Sequence, residues 1–288
     1  MNSQRTMAYR GVPSAFVYTL RAVRRVRRPG ELSPGLVAAW PGHRADRRQL
    51  RAWLAATGLP AGPALHILYP YTFGFRLAMS LLTHPSAPVP IWKVLQVRAT
   101  IRQYSAIEVD APLDFETRWA AGRPVAKGAE FDLDTTASVA GMCRWESRVT
   151  FYSRGAYGEP AAVPPVERAP GEFGPERARW TPRDAHHLDF ARYTGDYNPL
   201  HFADGYARRH GFAGALFHPP RMLAECVARL PEPGGNGPAR VDAWFKGPVL
   251  HRREVVLRGG SAADPGAFAL HLEPARPALV GRLESHGR

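Results

Sequence analysis

Two side chains that can move protons lie five positions apart in the segment DYNPLH, which runs from Asp196 to His201. Positions five apart do not share one helix face, where neighbours are three or four apart. Pro199 also disfavours the helical conformation for Asn198 before it. The spacing therefore predicts a loop that folds back and presents Asp196 and His201 to one point. A carboxylate and an imidazole at one point are the usual groups for proton transfer near neutral pH.

The composition limits the class of protein. The chain has 288 residues, enough for one large or two ordinary domains, and a net charge of +13. Almost all of the positive charge is arginine, which is typical of a GC-rich genome or of a protein with an acidic or phosphate-bearing partner. The densest arginine cluster, within 21–28, lacks the interleaved aromatic residues of a single-strand binder, and no helix-turn-helix or zinc pattern is present. We therefore expect no nucleic-acid partner.

The most apolar window, 64–82, has about the length of a membrane span. Pro70 interrupts it and Arg76 lies near its middle, which favours a buried helix and no membrane span. The N-terminal residues show no signal-peptide pattern. Cys143 and Cys226 match no metal spacing, as is typical of buried thiols in a reducing compartment. We expect a cytoplasmic protein.

The first half of the chain is predicted to contain a buried helix followed by strands. Residues 14–28 alternate loosely in hydrophobicity, which predicts a strand, and 46–56 form an amphipathic helix that Gly58 closes. The segment after Pro70 is apolar on nearly all faces, as a buried helix is. Strands are predicted over 94–101, 107–120, 130–139 and 143–154. Successive strands after one buried helix indicate an antiparallel sheet packed on that helix.

The second half repeats this order after a Pro-, Gly- and Glu-rich segment that is typical of a linker. Thr181 begins a helix that Gly195 ends, a short helix follows over about 203–210, and a second buried helix follows Pro220. Strands are predicted over 240–250, 253–259, 268–273 and 278–283. The repeat predicts an N-terminal domain over 1–155, a linker over 156–178 and a C-terminal domain over 179–288.

Further residues around the acid–imidazole pair lie at the spacing of a known motif. They are Gly195, Asp196, Asn198, Pro199, His201, Asp204, Ala207, Gly211, Phe212 and His218. Together they resemble the hydratase motif of the MaoC-like dehydratase family, which includes R-specific enoyl-CoA hydratases and acyl-thioester dehydratases. The repeated layout is similar to that of the family's double-hotdog members, in which two hotdog folds in one chain imitate the usual homodimer.

The resemblance implies an α+β fold, a double hotdog with two antiparallel sheets, each wrapped round a buried central helix. Asp196 and His201 would hold the reacting water for the hydration of an enoyl thioester, or for the reverse dehydration. The substrate would be carried by CoA or an acyl carrier protein, with no cofactor. The N-terminal half lacks the motif and would be a degenerate copy that helps to shape the acyl groove. The pair of halves would act as a pseudo-dimer, with a further homodimer as an open alternative.

Four more residues are candidates for substrate binding. Asn198 would bond the loop backbone or orient the acid–imidazole pair, because an amide does not titrate. His218 is expected to bond backbone rather than to react. Tyr69, which precedes the first buried helix as His218 precedes the second, would line the groove or pack in the core. Arg221 would be exposed to solvent or would contact a CoA phosphate.

One departure from the family pattern concerns the donor to the thioester oxygen. Family members read His-Gly-Met at the start of the central helix, where the Gly N–H is that donor, whereas this chain reads HPPRM over 218–222. Proline has no N–H. If Met222 aligns with the family Met, the Arg221 N–H takes the Gly position; if His218 anchors the alignment, the donor is lost. We favour the first alignment.

Two other classes of function stay open. A non-catalytic subunit that binds acyl thioesters would follow from loss of the oxyanion donor, and a hotdog thioesterase or tailoring enzyme would share the fold. No metal site is predicted: His186 and His187 are adjacent, so they point in different directions on a helix, and no cysteine or carboxylate cluster accompanies them.

Overall fold

A sheet of eleven strands runs through the computed structural model, which describes residues 5–22, 31–160, 168–182, 187–231 and 237–285. In chain order the strands are β1 (Arg5–Ala8), β2 (Leu36–His43), β3 (Val94–Gln103), β4 (Leu113–Val125), β5 (Gly128–Val139), β6 (Met142–Arg154), β7 (Phe173–Trp180), β8 (Ala239–Phe245), β9 (Val255–Gly260), β10 (Ala267–Glu273) and β11 (Arg276–Ser285). Their order across the sheet is β1-β2-β4-β5-β6-β3-β8-β11-β10-β9-β7.

Six α-helices pack on this sheet within the described residues. They are α1 (Ala15–Ala22), α2 (Arg47–Thr57), α3 (Leu68–Leu82), α4 (His187–Thr194), α5 (Asp204–Arg209) and α6 (Pro219–Val227). The predicted helix over 46–56 is confirmed as α2: the Asp46 carboxylate accepts the Gln49 N–H at 2.7 Å, and Gly58 ends the helix with a φ of 77°. No helix in the described part of the chain is long and apolar enough to cross a membrane.

The two halves share one strand order, which confirms the predicted double hotdog. The first half reads β2-β4-β5-β6-β3 across the sheet and the second reads β7-β9-β10-β11-β8, so each has the order first, third, fourth, fifth, second. The second strands of the halves, β3 and β8, pair antiparallel with Thr100 opposite Asp242. The Thr100 hydroxyl donates to the Asp242 carboxylate at 2.8 Å. The two predicted sheets are therefore joined into one at the β3–β8 pair.

The core lies between this sheet and the central helix of each half. All residues of α3 except Arg76 are buried, as the all-round apolar pattern predicts. The α3 aromatic rings of Tyr69 and Phe73 stack with centroids 4.2 Å apart. From the sheet, the Trp145 indole N–H donates to the Ile67 carbonyl at 2.8 Å. Helix α6 is likewise buried from Pro220 to its end.

Two segments differ from their predicted structure. The predicted strand over 14–28 is wrong where the structure describes it, because 15–22 is α1; residues 23–30 lie outside the described part. The helix buries Tyr18 on one face, and the short alternation was misleading. The segment predicted as linker contains most of the edge strand β7, which pairs with β9. Pro175 lies within this strand, as an edge strand permits, and half of the strand's residues are exposed and none is buried, so it shows little alternation.

The remaining strand and helix predictions are confirmed with small changes of bounds. The helix predicted from Thr181 is described from His187, since 183–186 lie outside the described residues. The domain limits stay a prediction, with β7 added to the second half.

Candidate active site

The loop after α4 folds through short-range hydrogen bonds from polar residues. Gly195 ends the helix with a φ of 76°, a left-handed conformation that suits glycine. The Asn198 N–H donates to Asp196 Oδ1 at 3.1 Å. The Asn198 side-chain oxygen accepts the Leu200 N–H at 3.1 Å and so caps a 3-10 turn over Pro199–His201. The chain therefore turns back on itself, as predicted, and Asn198 bonds loop backbone.

This turn brings the predicted acid and imidazole together. Asp196 Oδ2 lies 3.3 Å from His201 Nε2, and the two side chains are 16% and 10% exposed. His201 Nδ1 lies 3.0 Å from the Leu216 carbonyl oxygen, which can only accept, so Nδ1 carries a proton. That bond orients the ring and leaves Nε2 facing Asp196 Oδ2.

His218 completes the cluster from the residue before α6. Its ring stacks on His201 with centroids 3.9 Å apart and planes 21° apart. Its Nε2 donates to the Asp196 carbonyl oxygen at 3.1 Å, which is the backbone bond expected from the sequence. Burial and the neighbouring His201 lower the pKa of His218 well below its usual value. His218 therefore stays neutral and fixes the loop against α6.

The charge state of Asp196 follows from opposing effects. Burial acts to raise its pKa, but the charge and hydrogen bond of His201, then His218 and the Asn198 N–H, outweigh burial and lower the pKa to about 2. Asp196 is thus ionised at neutral pH. Its Oδ2 faces His201 Nε2 at 3.3 Å, close enough for one proton to lie between the two groups.

The pair lies in the wall of a cavity of about 340 Å³. The second half contributes the loop from Asp196 to His201, the start of α6 and the segment after β8. The first half contributes one face of α3, the start of β3 and Phe151 of β6. Apart from the Asp196–His201 loop and His218, most of the wall is apolar. The lining includes Phe75, Met79, Val94, Phe151, Leu200, Phe217, Met222 and Val249. Such a cavity suits an acyl chain that ends at the acid–imidazole pair.

Two of the predicted binding residues lie elsewhere. Arg221 is 2% exposed, and its Nε donates to Glu225 Oε1 at 3.0 Å, so its side chain is held in the interior and does not face solvent. The Trp180 indole N–H donates to the same carboxylate at 2.9 Å. Tyr69 is fully buried, and its hydroxyl lies 3.1 Å from His43 Nε2 away from the residues that line the cavity. Tyr69 is therefore a core residue.

The start of α6 presents its two prolines to the cavity. Pro219 and Pro220 are among the lining residues, and neither has an N–H. The first N–H of the helix therefore belongs to Arg221. The next one, that of Met222, donates to the His218 carbonyl at 3.1 Å. Arg221 is not among the described residues that line the cavity, so its N–H as the oxyanion donor stays a prediction.

The resemblance implied that the first half helps to shape the groove, but sequence reasoning did not identify which of its residues do so. Most of them lie on α3 and at the start of β3, far from the motif along the chain. One signal was present: α3 carries apolar residues on more faces than packing against one sheet requires.

Asp196, His201 and His218 also place three ligand atoms within 4.8 Å of one another, a spacing that a metal ion can use.

The fold and the site together define a double-hotdog protein with a hydratase-type loop. No family model matches the chain. A curated relative, 3-hydroxyacyl-thioester dehydratase X of Mycobacterium tuberculosis, is 29% identical over 212 residues, which is 71% of this chain and 73% of the relative.

Two solved structures share the fold. The crystal structure of HtdX of Mycobacterium tuberculosis superposes with a TM-score of 0.71 at 23% identity and covers 86% of this chain and 98% of its own. A MaoC-like dehydratase from Phytophthora capsici gives a TM-score of 0.67 at 16% identity and covers 90% and 97%. These likenesses show the hotdog fold, and the curated dehydratase is similar to this chain over most of its length.

Proposed function

We propose that the chain catalyses the reversible hydration of enoyl thioesters, equivalent to the dehydration of (R)-3-hydroxyacyl thioesters. The observation that carries this proposal is the Asp196–His201 pair, 3.3 Å apart in the wall of a largely apolar cavity. One oxygen atom can lie within hydrogen-bond distance of both Oδ2 and Nε2 at this separation. The curated relative is named for the same dehydration, which supports the proposal.

The proposed chemistry needs only proton transfers. In hydration, a water held by the pair adds its oxygen to the β carbon while one of its protons passes to the Asp196–His201 unit. The unit returns a proton to the α carbon, and both groups end as they began. In dehydration, the unit takes the α proton and gives a proton to the departing 3-hydroxyl. The ionised Asp196 and the oriented Nε2 of His201 suit both directions.

The thioester oxygen gains negative charge during this step and needs a donor. Pro219 and Pro220 supply none, so we propose the side-chain nitrogen of Asn198 as a second donor beside the predicted Arg221 N–H. Asn198 is a lining residue, and its oxygen is already held by the Leu200 N–H. The positive end of the α6 dipole favours the same charge. The Arg221 N–H stays the predicted backbone donor.

The test is a direct assay of the purified chain with crotonyl-CoA and longer trans-2-enoyl-CoA substrates, each also offered on an acyl carrier protein. Water addition removes the absorbance of the conjugated enoyl thioester. Turnover of at least one substrate, lost in Asp196→Asn, is the expected result. Absence of turnover on every chain and carrier would contradict the proposal.

The double proline favours one alternative, a subunit that binds acyl thioesters without reaction. That alternative predicts binding of an enoyl-CoA by calorimetry without any change in absorbance. Release of free thiol from a saturated acyl-CoA would instead indicate a thioesterase. The carrier, the cytoplasmic location and a homodimer beyond the internal pseudo-dimer stay predictions.

A further inference from the structure

Gln96, at the start of β3, is a polar residue in an apolar part of the cavity wall. The other described residues that the first half contributes to this wall are apolar. Gln96 is far along the chain from the catalytic loop and has no part in the proposed proton transfers. An amide at this point therefore needs a separate explanation.

A β-bulge places this side chain in the cavity. The pairing of β3 with β6 shifts register between Gln96 and Arg98, which leaves Val97 as the extra residue. Gln96 is consequently paired with Phe151, a buried residue of the inner face, whereas simple alternation from Ala99 would have put Val97 there. The bulge thus turns an amide inward where a regular strand would present a valine.

Tyr71 holds the amide from the other side. The Gln96 side-chain nitrogen is hydrogen-bonded to the Tyr71 hydroxyl, and Tyr71 is only 2% exposed. Burial raises the pKa of Tyr71 far above its usual value, so the hydroxyl keeps its proton. Phe75 and Met79 follow Tyr71 at four and eight positions along α3, so the three residues share one face of the helix. Phe75 and Met79 line the cavity, and the Gln96–Tyr71 pair therefore lies at one end of this face.

The other end of the amide is unused. The Gln96 side-chain oxygen is buried and has no hydrogen-bond partner among the residues that the structure describes. A buried polar atom is normally satisfied, and one beside a binding cavity can be satisfied by the ligand. Half a turn of the amide exchanges its oxygen and nitrogen, so the site can accept from a hydroxyl or donate to a carbonyl.

We infer that Gln96, held by Tyr71, recognises an oxygen-bearing group on the acyl chain and selects chains that carry one. This inference rests on the proposed function, since it concerns the substrate of the same cavity. The chemical class is an enoyl or 3-hydroxyacyl thioester with an additional hydroxyl or oxo group further along the chain. An entirely apolar chain would bury the amide without replacing its hydrogen bond, which opposes binding.

The test compares trans-2-octenoyl-CoA with four analogues, each carrying one hydroxyl on one of the last four carbon atoms. kcat/KM is measured for the unchanged protein, Gln96→Leu and Tyr71→Phe. Met79→Leu is the matched control, because it alters an apolar lining residue of similar size. We expect one hydroxylated chain to exceed octenoyl-CoA by about tenfold in the unchanged protein. The ratio should fall to about one in Gln96→Leu, fall in Tyr71→Phe and persist in Met79→Leu.

Each other outcome has a distinct meaning. If the unchanged protein hydrates octenoyl-CoA at least as well as every hydroxylated chain, this inference is overturned and the proposed function stands. If Gln96→Leu and Tyr71→Phe both keep the preference, the Gln96–Tyr71 pair is not its source and the inference is overturned. If no chain is hydrated, the proposed function fails and the inference fails with it. A thermal melt of each variant checks that a changed ratio does not come from unfolded protein.

Discussion

Asp196→Asn removes the charge of the proposed catalytic carboxylate and keeps its shape. The asparagine oxygen can still accept the Asn198 N–H, so the loop is expected to keep its conformation. What is lost is the partner of His201 Nε2 at 3.3 Å and the site that takes up a proton. General acid–base catalysis contributes about 100- to 10,000-fold, and we expect kcat for enoyl-CoA hydration to fall within that range.

The same substitution has a calculable effect on stability. The pKa of Asp196 falls from 3.8 to about 2 on folding. At about 1.4 kcal/mol per pKa unit, this lower pKa makes ionisation in the folded state contribute about 2 kcal/mol. Because the folded pKa is the lower one, this contribution is present above about pH 4 and is lost as the pH falls towards about 2. Asp196→Asn should therefore be about 2 kcal/mol less stable at neutral pH, and the difference should vanish only below about pH 2.

Two measurements check this reasoning. Urea unfolding at several pH values gives the difference in free energy of unfolding between the two proteins. The contributions of the other carboxylates are the same in both and cancel in this difference. Asp189→Asn is the matched control, because Asp189 pairs with Arg192 at the surface of the preceding helix. An Asp196→Asn variant with nearly full activity, or with higher stability at neutral pH, would show that the ionised pair is not the working unit.

Three further predictions concern other parts of the molecule. Arg221→Met leaves Glu225 buried without its cation and should lower the free energy of unfolding by about 3 kcal/mol, measured by urea unfolding. Tyr69→Phe removes the hydroxyl bonded to His43, which should cost about 1 kcal/mol by the same measurement and leave KM for the enoyl thioester unchanged. Treatment with a chelator should leave hydration activity unchanged, because the proposed mechanism uses only proton transfers.

Each of these has a contrary outcome. An Arg221→Met variant as stable as the unchanged protein would show that the buried pair is replaceable by apolar contacts. A raised KM in Tyr69→Phe would indicate that the Tyr69 side chain lines the substrate groove. Activity lost with the chelator and restored by a divalent metal would indicate that Asp196, His201 and His218 bind a metal ion.

The parts of the site that could be predicted depend on local chemistry. The Asp196–His201 loop closes through hydrogen bonds between residues two positions apart, and the residue types alone predict such hydrogen bonds. The central helix α3 is similarly marked by apolar residues on nearly all faces. The predictions that failed or were missing depend on partners distant in the chain. Arg221 looks like a surface residue until Glu225 and Trp180 enclose it, which depends on tertiary packing.

The β3 bulge shows the same limit for the cavity. In the segment from Val94 to Val97, alternation suggests that Gln96 faces away from the core, and no residue type there marks an irregular strand. The inward turn is set by the register against β6, so it becomes visible only in the paired sheet. β7 was missed because an exposed edge strand needs no alternating pattern.

The β3–β8 pair has a consequence for how this protein behaves in dilute solution. Where a cavity is built between two separate chains, its walls part when the protein concentration falls below the dissociation constant. Here the peptide chain keeps both walls at a high effective concentration, whatever the amount of protein present. Its turnover per molecule should accordingly be the same at nanomolar and micromolar protein. The same chain therefore carries the acid and imidazole in one half and an apolar part of the cavity wall in the other.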